Sequence, residues 1–380
     1  MKRAFSTAAL AAAIFLLLSS CDNTNGILSE IQTEQENSST SIFYRSSVQA
    51  FTRYANNYYA VTNAIYSRPV SNATGSGWAQ VSVGSLGSSY RCRSVAVLGG
   101  STLYAVIRDT SDAMKGIYST TDGSTFAALS SNIDSMNVQA LYAAGSYLFA
   151  VVNTSSAETT PTYALYYSAG GATFTATGLS GSGWIPGVAY DGGSYFVGQG
   201  SAIYKGDGTS FTSNKTVSGV VSSITGSDTN TRVYAGTTYG YVYGTTDSGT
   251  SWESTAPWGT GSADGDVAVV KALVYLPASN IVVAGRSMMN DYTSTFYGYY
   301  EIHLSGDPGL TSATSYIGSS SSALLKTNYS TTTQYLFVNG FYYDSAASRL
   351  FILENSSMKK LAALWSNYYD GGAWNGWVTE

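Results

Sequence analysis

Histidine is nearly absent from this chain. Of 380 residues one is His, His303, and two are Cys, Cys21 and Cys92. A structural zinc site takes about four ligands, mostly of these two types, so a zinc centre is excluded. A Ser-His-Asp triad would depend wholly on His303, and no Gly-x-Ser-x-Gly elbow frames a nucleophile. Charged residues make up 11%, against about 25% in ordinary globular domains. The net charge is -5 and the pI about 4.9, with no cluster of Lys and Arg. Nucleic acid is therefore excluded as a partner, because its binding needs clustered cations to displace counterions. No segment sustains a 3.6-residue apolar period, so almost no helix is expected. No Gly-rich phosphate loop stands between a strand and a helix. Beyond the N-terminus there is no run of about 20 apolar residues, so no transmembrane helix is expected. Asp264-Gly265-Asp266 offers oxygen ligands but reads as a solvated turn. No metal, cofactor or catalytic residue is assigned.

What is abundant points to strands. Hydrophobic residues are 44% and aromatics 14%, with 40 Gly and 32 Tyr. Gly, Ser, Thr and Tyr in such numbers suit short strands joined by tight turns. The first residues, MKRAFSTAALAAAIFLLLSSC, have a basic start at Lys2 and Arg3 and an apolar stretch from Ala8 to Leu18. That stretch is of signal-peptide length. Its end, Leu18-Ser19-Ser20-Cys21, resembles the bacterial lipobox. The resemblance implies cleavage before Cys21, acylation of that Cys and anchoring in a membrane of a bacterial cell envelope, which membrane and which face being left open. The alternative is an ordinary signal peptide that happens to contain a Cys. If Cys21 is acylated, Cys92 has no disulfide partner. It lies between Arg91 and Arg93, which would lower a thiol pKa, or it is a strand Cys without function. Residues 22–42 are polar and carry no aromatic, as expected of a flexible tether. The division is thus a signal peptide at 1–20, an acylated Cys and tether at 21–42, and one domain at 43–380.

That domain repeats. Tyr59-Ala60-Val61, Tyr104-Ala105-Val106 and Phe149-Ala150-Val151 follow one another at intervals of 45 residues. Related runs occur at Tyr195-Phe196-Val197, Val233-Tyr234-Ala235, Ile281 to Ala284 and Leu350 to Leu353, seven in all. Most are followed by a second aromatic strand, such as Ile117-Tyr118-Ser119 or Leu165-Tyr166-Tyr167-Ser168, then a Gly- and Asp-rich turn and another aromatic. Shorter apolar strands precede them. Four strands in about 45 residues is the size of a propeller blade. The expected fold is all-β, a single β-propeller of seven four-stranded blades. Six or eight blades stay open, because the sixth repeat is stretched between Gly285 and Tyr297 and by the Ser-rich run Gly318 to Ser322.

The clearest turn runs from Thr245 through Asp247, Gly249 and Ser251 to Trp252. It resembles the Asp-box, or BNR, repeat of sialidase-like propellers, Ser/Thr-x-Asp-x-Gly-x-Ser/Thr-Trp, at every defined position. Weaker relatives are Ser119 to Phe126, Ser168 to Phe174 and Lys205 to Phe211. The resemblance implies turns on the outer hairpins of blades with a structural role. A sialidase would need three converging arginines, a Tyr–Glu pair and an Asp acid/base. The nearest approach to its Arg motif, Ser67-Arg68-Pro69, lacks the intervening residue. Glu301 and His303 alternate onto one strand face, as a funnel pair or an exposed one. The surplus of Tyr over charge favours a recognition surface. The expected function is a lipid-anchored extracytoplasmic module that binds a protein or a glycan. The alternative is a glycoside hydrolase, sialidase-like or using two carboxylates.

Overall fold

The computed structural model describes residues 42–380 except 44–45, 73–75, 157–159, 229, 256–267, 289–297, 307–308, 311–313, 318–337, 355–363, 371–372 and 375–377. The signal peptide, Cys21, nearly all of the tether, Asp264-Gly265-Asp266 and the run Gly318 to Ser322 lie outside the described residues. Seven antiparallel sheets follow one another along the chain: β1–β4 (50–80), β5–β8 (91–128), β9–β12 (137–181), β13–β16 (188–216), β17–β20 (221–254), β21–β24 (268–317) and β25–β29 (338–379). Within each sheet, strands are neighbours in sequence order. The first strands touch in the order β1, β5, β9, β13, β17, β21, β25 and back to β1. The seven sheets therefore stand in a ring as the blades of a β-propeller, with first strands around the central channel and fourth strands at the rim. Two single-turn 3-10 helices, Gly84–Leu86 and Pro277–Ser279, are the helical elements among the described residues.

Burial peaks in the second strand of each blade and falls toward the rim, which explains why the Tyr-Ala-Val runs were the legible part of the repeat. Each run is the second strand of a blade: β2, β6, β10, β14, β18, β22 or β26. These strands are covered on both faces by adjacent blades, so they are nearly continuously buried and read as apolar runs instead of alternating ones. The fourth strands β4 and β8 are exposed throughout. The core is accordingly not one mass. It divides into seven clusters, one at each blade-to-blade interface.

Where the ring closes between blades 7 and 1, no strand is exchanged between the ends of the chain among the described residues, and Val48 N of the first blade donates to the Glu354 carbonyl of the last at 3.3 Å. Blade 7 takes its outer edge from β28 (Ala373–Trp374) and β29 (Val378–Thr379), which pair with different parts of β27 (Leu364–Asp370). Phe51 stacks on Phe351 at 4.5 Å between ring centroids, and Phe43 meets Trp78 edge-on at 5.2 Å. Beside them lies a buried ionic clasp. Glu380 accepts hydrogen bonds from Arg68 of blade 1 (2.5 Å) and from Arg349 and Ser366 of blade 7. Asp344 of blade 7 is likewise paired with Arg53 (2.9 Å) and accepts from the Tyr58 hydroxyl (2.8 Å) of blade 1.

Candidate binding face at one mouth of the channel

The innermost strands share an irregularity. The pairing of β5 with β6 slips between Cys92 and Ser94, and that of β17 with β18 between Val221 and Ser223. Equivalent slips occur between Val138 and Ala140, Val270 and Ala272, and Val338 and Gly340. The residues passed over are Arg93, Gln139, Ser222, Lys271 and Asn339. In blade 1 Gln49 holds the same place, directly before Ala50, which pairs with Val61. In blade 4 the place falls to Gly187, before Val188. Each of the five slips is a β-bulge, an extra residue that the ladder leaves out and aims elsewhere.

Packing dictates which way the extra residue turns. The residue before it is buried in Val48, Cys92, Val138, Val221, Val270 and Val338, and the one after it is small in all but blade 4. Val221, Val270 and Val338 seat against glycines of the preceding blade. A Cβ added at Gly198, Gly236 or Gly285 would lie 2.3, 2.4 or 2.4 Å from the valine Cγ1. With both flanking residues held inward, the side chain between them stays out of the blade core: Gln49, Arg93 and Lys271 are exposed, and Gln139, Ser222 and Asn339 half-buried, Asn339 Nδ2 donating to Ser47 Oγ of blade 1 at 2.8 Å. Ser222 and Ser223 both donate to the Val270 carbonyl, at 2.7 and 2.9 Å, and Ser94 donates to that of Leu141 at 3.2 Å. These bonds tie the bulges of blades 2 and 5 to the next blade. The result is a ring of three amides, one hydroxyl and two cations at one level of the channel.

The ring lies at the mouth where the chain enters each first strand. The first residues of these strands pair with the last residues of the second strands, so the turns between second and third strands crowd the same mouth. Trp184, Val220 and Tyr239 lie on this face, with 39%, 43% and 53% of their surface exposed. Arg93 meets Asp112 at 2.5 Å in an exposed pair, and Lys115 meets Asp109 at 3.1 Å. The seven innermost strands contain a single carboxylate, Asp344, which is buried and paired with Arg53.

The residues singled out in the sequence fall elsewhere. Thr245, Asp247, Gly249, Ser251 and Trp252 form the turn between β19 (Val242–Thr245) and β20 (Glu253–Ser254), at the opposite mouth and toward the rim. Thr245 Oγ1 donates to Asp247 Oδ1 (2.8 Å) and accepts from Gly249 N (2.9 Å). Ser251 donates to the carboxylate through its backbone N (2.9 Å) and hydroxyl (2.6 Å). Gly249 has a φ of +79°. Trp252 Nε1 donates to Asn214 Oδ1 of the preceding blade at 2.8 Å. Bonds from Ser251 and Thr245 hold the Asp247 carboxyl below its ordinary pKa. The blade 2 turn works from Thr120, not Ser119. Thr120 donates to Asp122, and the backbone N of Thr125 and Ser124 bonds the same carboxylate. Asp122 thus stands two residues after Thr120, as Asp247 does after Thr245, and is followed directly by Gly123, one residue sooner than Gly249 follows Asp247.

Cys92 is 2% exposed, and burial pushes its thiol up to about 12. The flanking arginines project the other way and do not activate it. Glu301 and His303 do face each other, at 3.2 Å, but on β23 (Gly298–His303), a third strand away from the channel. Arg68 and Arg349 do converge, but on Glu380 within the seam, where Arg68 is 0% exposed. Most of the Tyr pairs described are internal. Tyr59 donates to the Gly123 carbonyl and Tyr104 to that of Gly170, each across a blade interface. Tyrosine thus ties a turn to its neighbouring blade, a role the residue count did not distinguish from recognition. The bulge ring was missed, although Val-Gln-Ala stands at both 48–50 and 138–140, two repeats apart.

No protein-family model matches the chain, and no curated protein matches it. Solved structures do match in fold. An ancestral GH74 enzyme aligns with a TM-score of 0.59 at 16% identity, over 88% of this chain and 46% of the enzyme. A bacterial extracellular domain from B. thetaiotaomicron gives 0.57 at 14%, over 86% of this chain and 39% of the other. YCF48 bound to D1 peptide gives 0.55 at 15%, over 86% and 94%. This chain spans less than half of the first two. At such identities the likeness is one of fold, and hydrolytic, signalling and peptide-bound proteins share it.

Proposed function

We propose that this chain is an extracytoplasmic binding module, tethered to a bacterial membrane by acyl chains on Cys21, that takes a protein or glycan ligand at the bulge-lined mouth of its channel. The observation that carries the reading is the ring of polar side chains at one level of the innermost strands, Gln49 before β1 and the bulged Arg93, Gln139, Ser222, Lys271 and Asn339. Bulges place these side chains where the ladder would not, and amides and hydroxyls supply both donors and acceptors to a polar ligand. Hydrolysis by two carboxylates needs an acid and a base on either side of the scissile bond. The innermost strands offer only Asp344, and Arg53 and Tyr58 occupy it.

The test screens the full chain in detergent against immobilised glycans and peptides, with release of reducing ends followed in parallel. The reading expects saturable retention without product, lost in Gln49→Ala/Gln139→Ala at an unchanged unfolding midpoint. Turnover of a retained glycan, or retention indifferent to those substitutions, would contradict it. Anchoring is tested separately by labelled palmitate, which wild type should incorporate and Cys21→Ser should not.

A further inference from the structure

We infer that the ligand of this face is an acidic polysaccharide, whose sugar rings stack on Trp184 and Tyr239 and whose carboxylates meet Arg91, Arg93 and Lys271. The inference rests on the binding reading above and names its ligand class.

The two exposed rings are fixed, not loose. Trp184, in the approach to β13 (Val188–Tyr190), stands edge-on to Tyr163 at 5.0 Å and 89°. Its loop is clipped by Gln199, whose Nε2 donates to the carbonyls of Tyr163 (3.1 Å) and Gly183 (3.0 Å). Tyr239 lies against Gly219, which has a φ of +85° and where a Cβ would approach the ring to 2.9 Å. Val220 N donates to Thr238 Oγ1 at 2.9 Å, and Thr238 N to the Val220 carbonyl at 2.8 Å. Rigid aromatic rings beside water lose little entropy on binding, and they offer a flat apolar face with a polar edge. That suits the C–H face of a pyranose ring, and the polar side chains at the same mouth, the exposed Gln49 among them, suit its hydroxyls. The two rings flank blade 4, one at each of its junctions, so they suit successive units of a chain better than one small ligand.

Charge selects the acid. The chain carries a net charge of -5, yet three exposed cations stand on these strands, Arg91 and Arg93 on β5 (Arg91–Leu98) and Lys271 on β21 (Ala268–Leu276). Among the described residues no carboxylate lies within ion-pair distance of Arg91 or Lys271. Asp112 engages Arg93 in an exposed pair, of the kind worth about 0–1 kcal/mol and open to exchange. Glu354, at the same end of blade 7, is buried and accepts from Trp365 Nε1. The cations of blades 2 and 6 therefore lack fixed partners of equal number.

Retention of the full chain in detergent would be measured on polygalacturonate, alginate and hyaluronate, on their carboxyl-reduced counterparts, and on poly-glutamate. The expected result is retention on at least one acidic polysaccharide, weakened about tenfold or more by carboxyl reduction, by Trp184→Ala and by Arg91→Glu/Lys271→Glu, which corresponds to about 1.4 kcal/mol or more. Trp184→Phe should recover most of the affinity, and the unfolding midpoint should stay at that of wild type. Equal retention on carboxyl-reduced polymer, or stronger retention on poly-glutamate, would overturn the ligand class while leaving the binding reading intact. If no polymer is retained and the glycan and peptide screen is also empty, both fail together.

Discussion

Replacing Glu380 by Ala should open the ring at its seam. The Glu380 carboxylate is fully buried and sits between the Arg68 and Arg349 guanidiniums, which are 0% and 3% exposed. Burial holds the Arg68 guanidinium below its usual pKa, Arg349 pushes it down further, and Glu380 pulls it back up. Without the carboxylate, two like charges face each other out of water. Removing one partner of a buried pair costs about 3–5 kcal/mol, because the remaining charge keeps its desolvation penalty. Here one deletion strands two charges, so the cost should lie at the upper end of that range. The same deletion at the surface is the control. Arg93→Ala removes a pair whose side chains are 39% and 33% exposed, and should cost about 0–1 kcal/mol. Equilibrium unfolding in urea, followed by Trp fluorescence, compares the two, since Trp78 packs in the seam. Replacing Arg68, Arg349 and Glu380 together by Met should restore most of the loss, as apolar groups of similar volume do at buried ion pairs. A Glu380→Ala variant no less stable than Arg93→Ala would refute the claim that the clasp closes the ring.

Other outcomes follow from the same geometry. Gly236→Val should destabilise by at least about 1–3 kcal/mol, as overpacking does, since even its Cβ would meet Val270 at 2.4 Å; thermal unfolding measures it. Cys92, its thiol pushed up to about 12 by burial, should resist iodoacetamide at pH 8 in the native chain and react fully in urea, as mass spectrometry would show. Asp247→Ala should lower the unfolding midpoint without weakening ligand retention, because its turn lies at the mouth opposite the bulge ring. The Asp247 and Asp207 carboxyls are depressed by hydrogen bonds, Asp207 to about 2. Their contribution is present above the unfolded carboxylate pKa, about 4, and is lost as pH falls through the folded values. A Asp207→Asn/Asp247→Asn variant should therefore show a flatter loss of stability than wild type between pH 4 and pH 2, read by urea titration.

Much of the fold was legible, and for one physical reason. Second strands sandwiched between blades must be apolar on both faces, so Tyr-Ala-Val recurs where packing permits little else. The first strands hid their pattern. A bulge breaks the two-residue alternation, and its middle residue varies from Gln to Arg, Lys, Ser and Asn because it contacts no core. The surrounding Val and small residue do repeat, and the two Val-Gln-Ala copies would have revealed the register. The clasp could not be read at all. Arg68 and Glu380 are 312 residues apart, and only ring closure brings them together. Tyrosine misled in part. Residues such as Tyr59 and Tyr104 are structural ties between blades, and Tyr239 is the one of those named that stands exposed beside the ring. Tyr368 is also exposed, but at the end of β27 away from it. Arg68 and Arg349 show the limit of counting charges. They converge as a substrate site would, yet they converge on the protein's own carboxylate.

Hydrogen–deuterium exchange of the full chain, with and without a retained polysaccharide, tests the central claim most directly. The account predicts protection at 48–50, 92–94, 138–140, 221–223, 270–272 and 338–340 and at the loops bearing Trp184 and Tyr239, with the polymer recovered at its original length. Protection confined to the turns at 120–125 and 245–252, on the opposite mouth, or recovery of a shortened polymer, would contradict it.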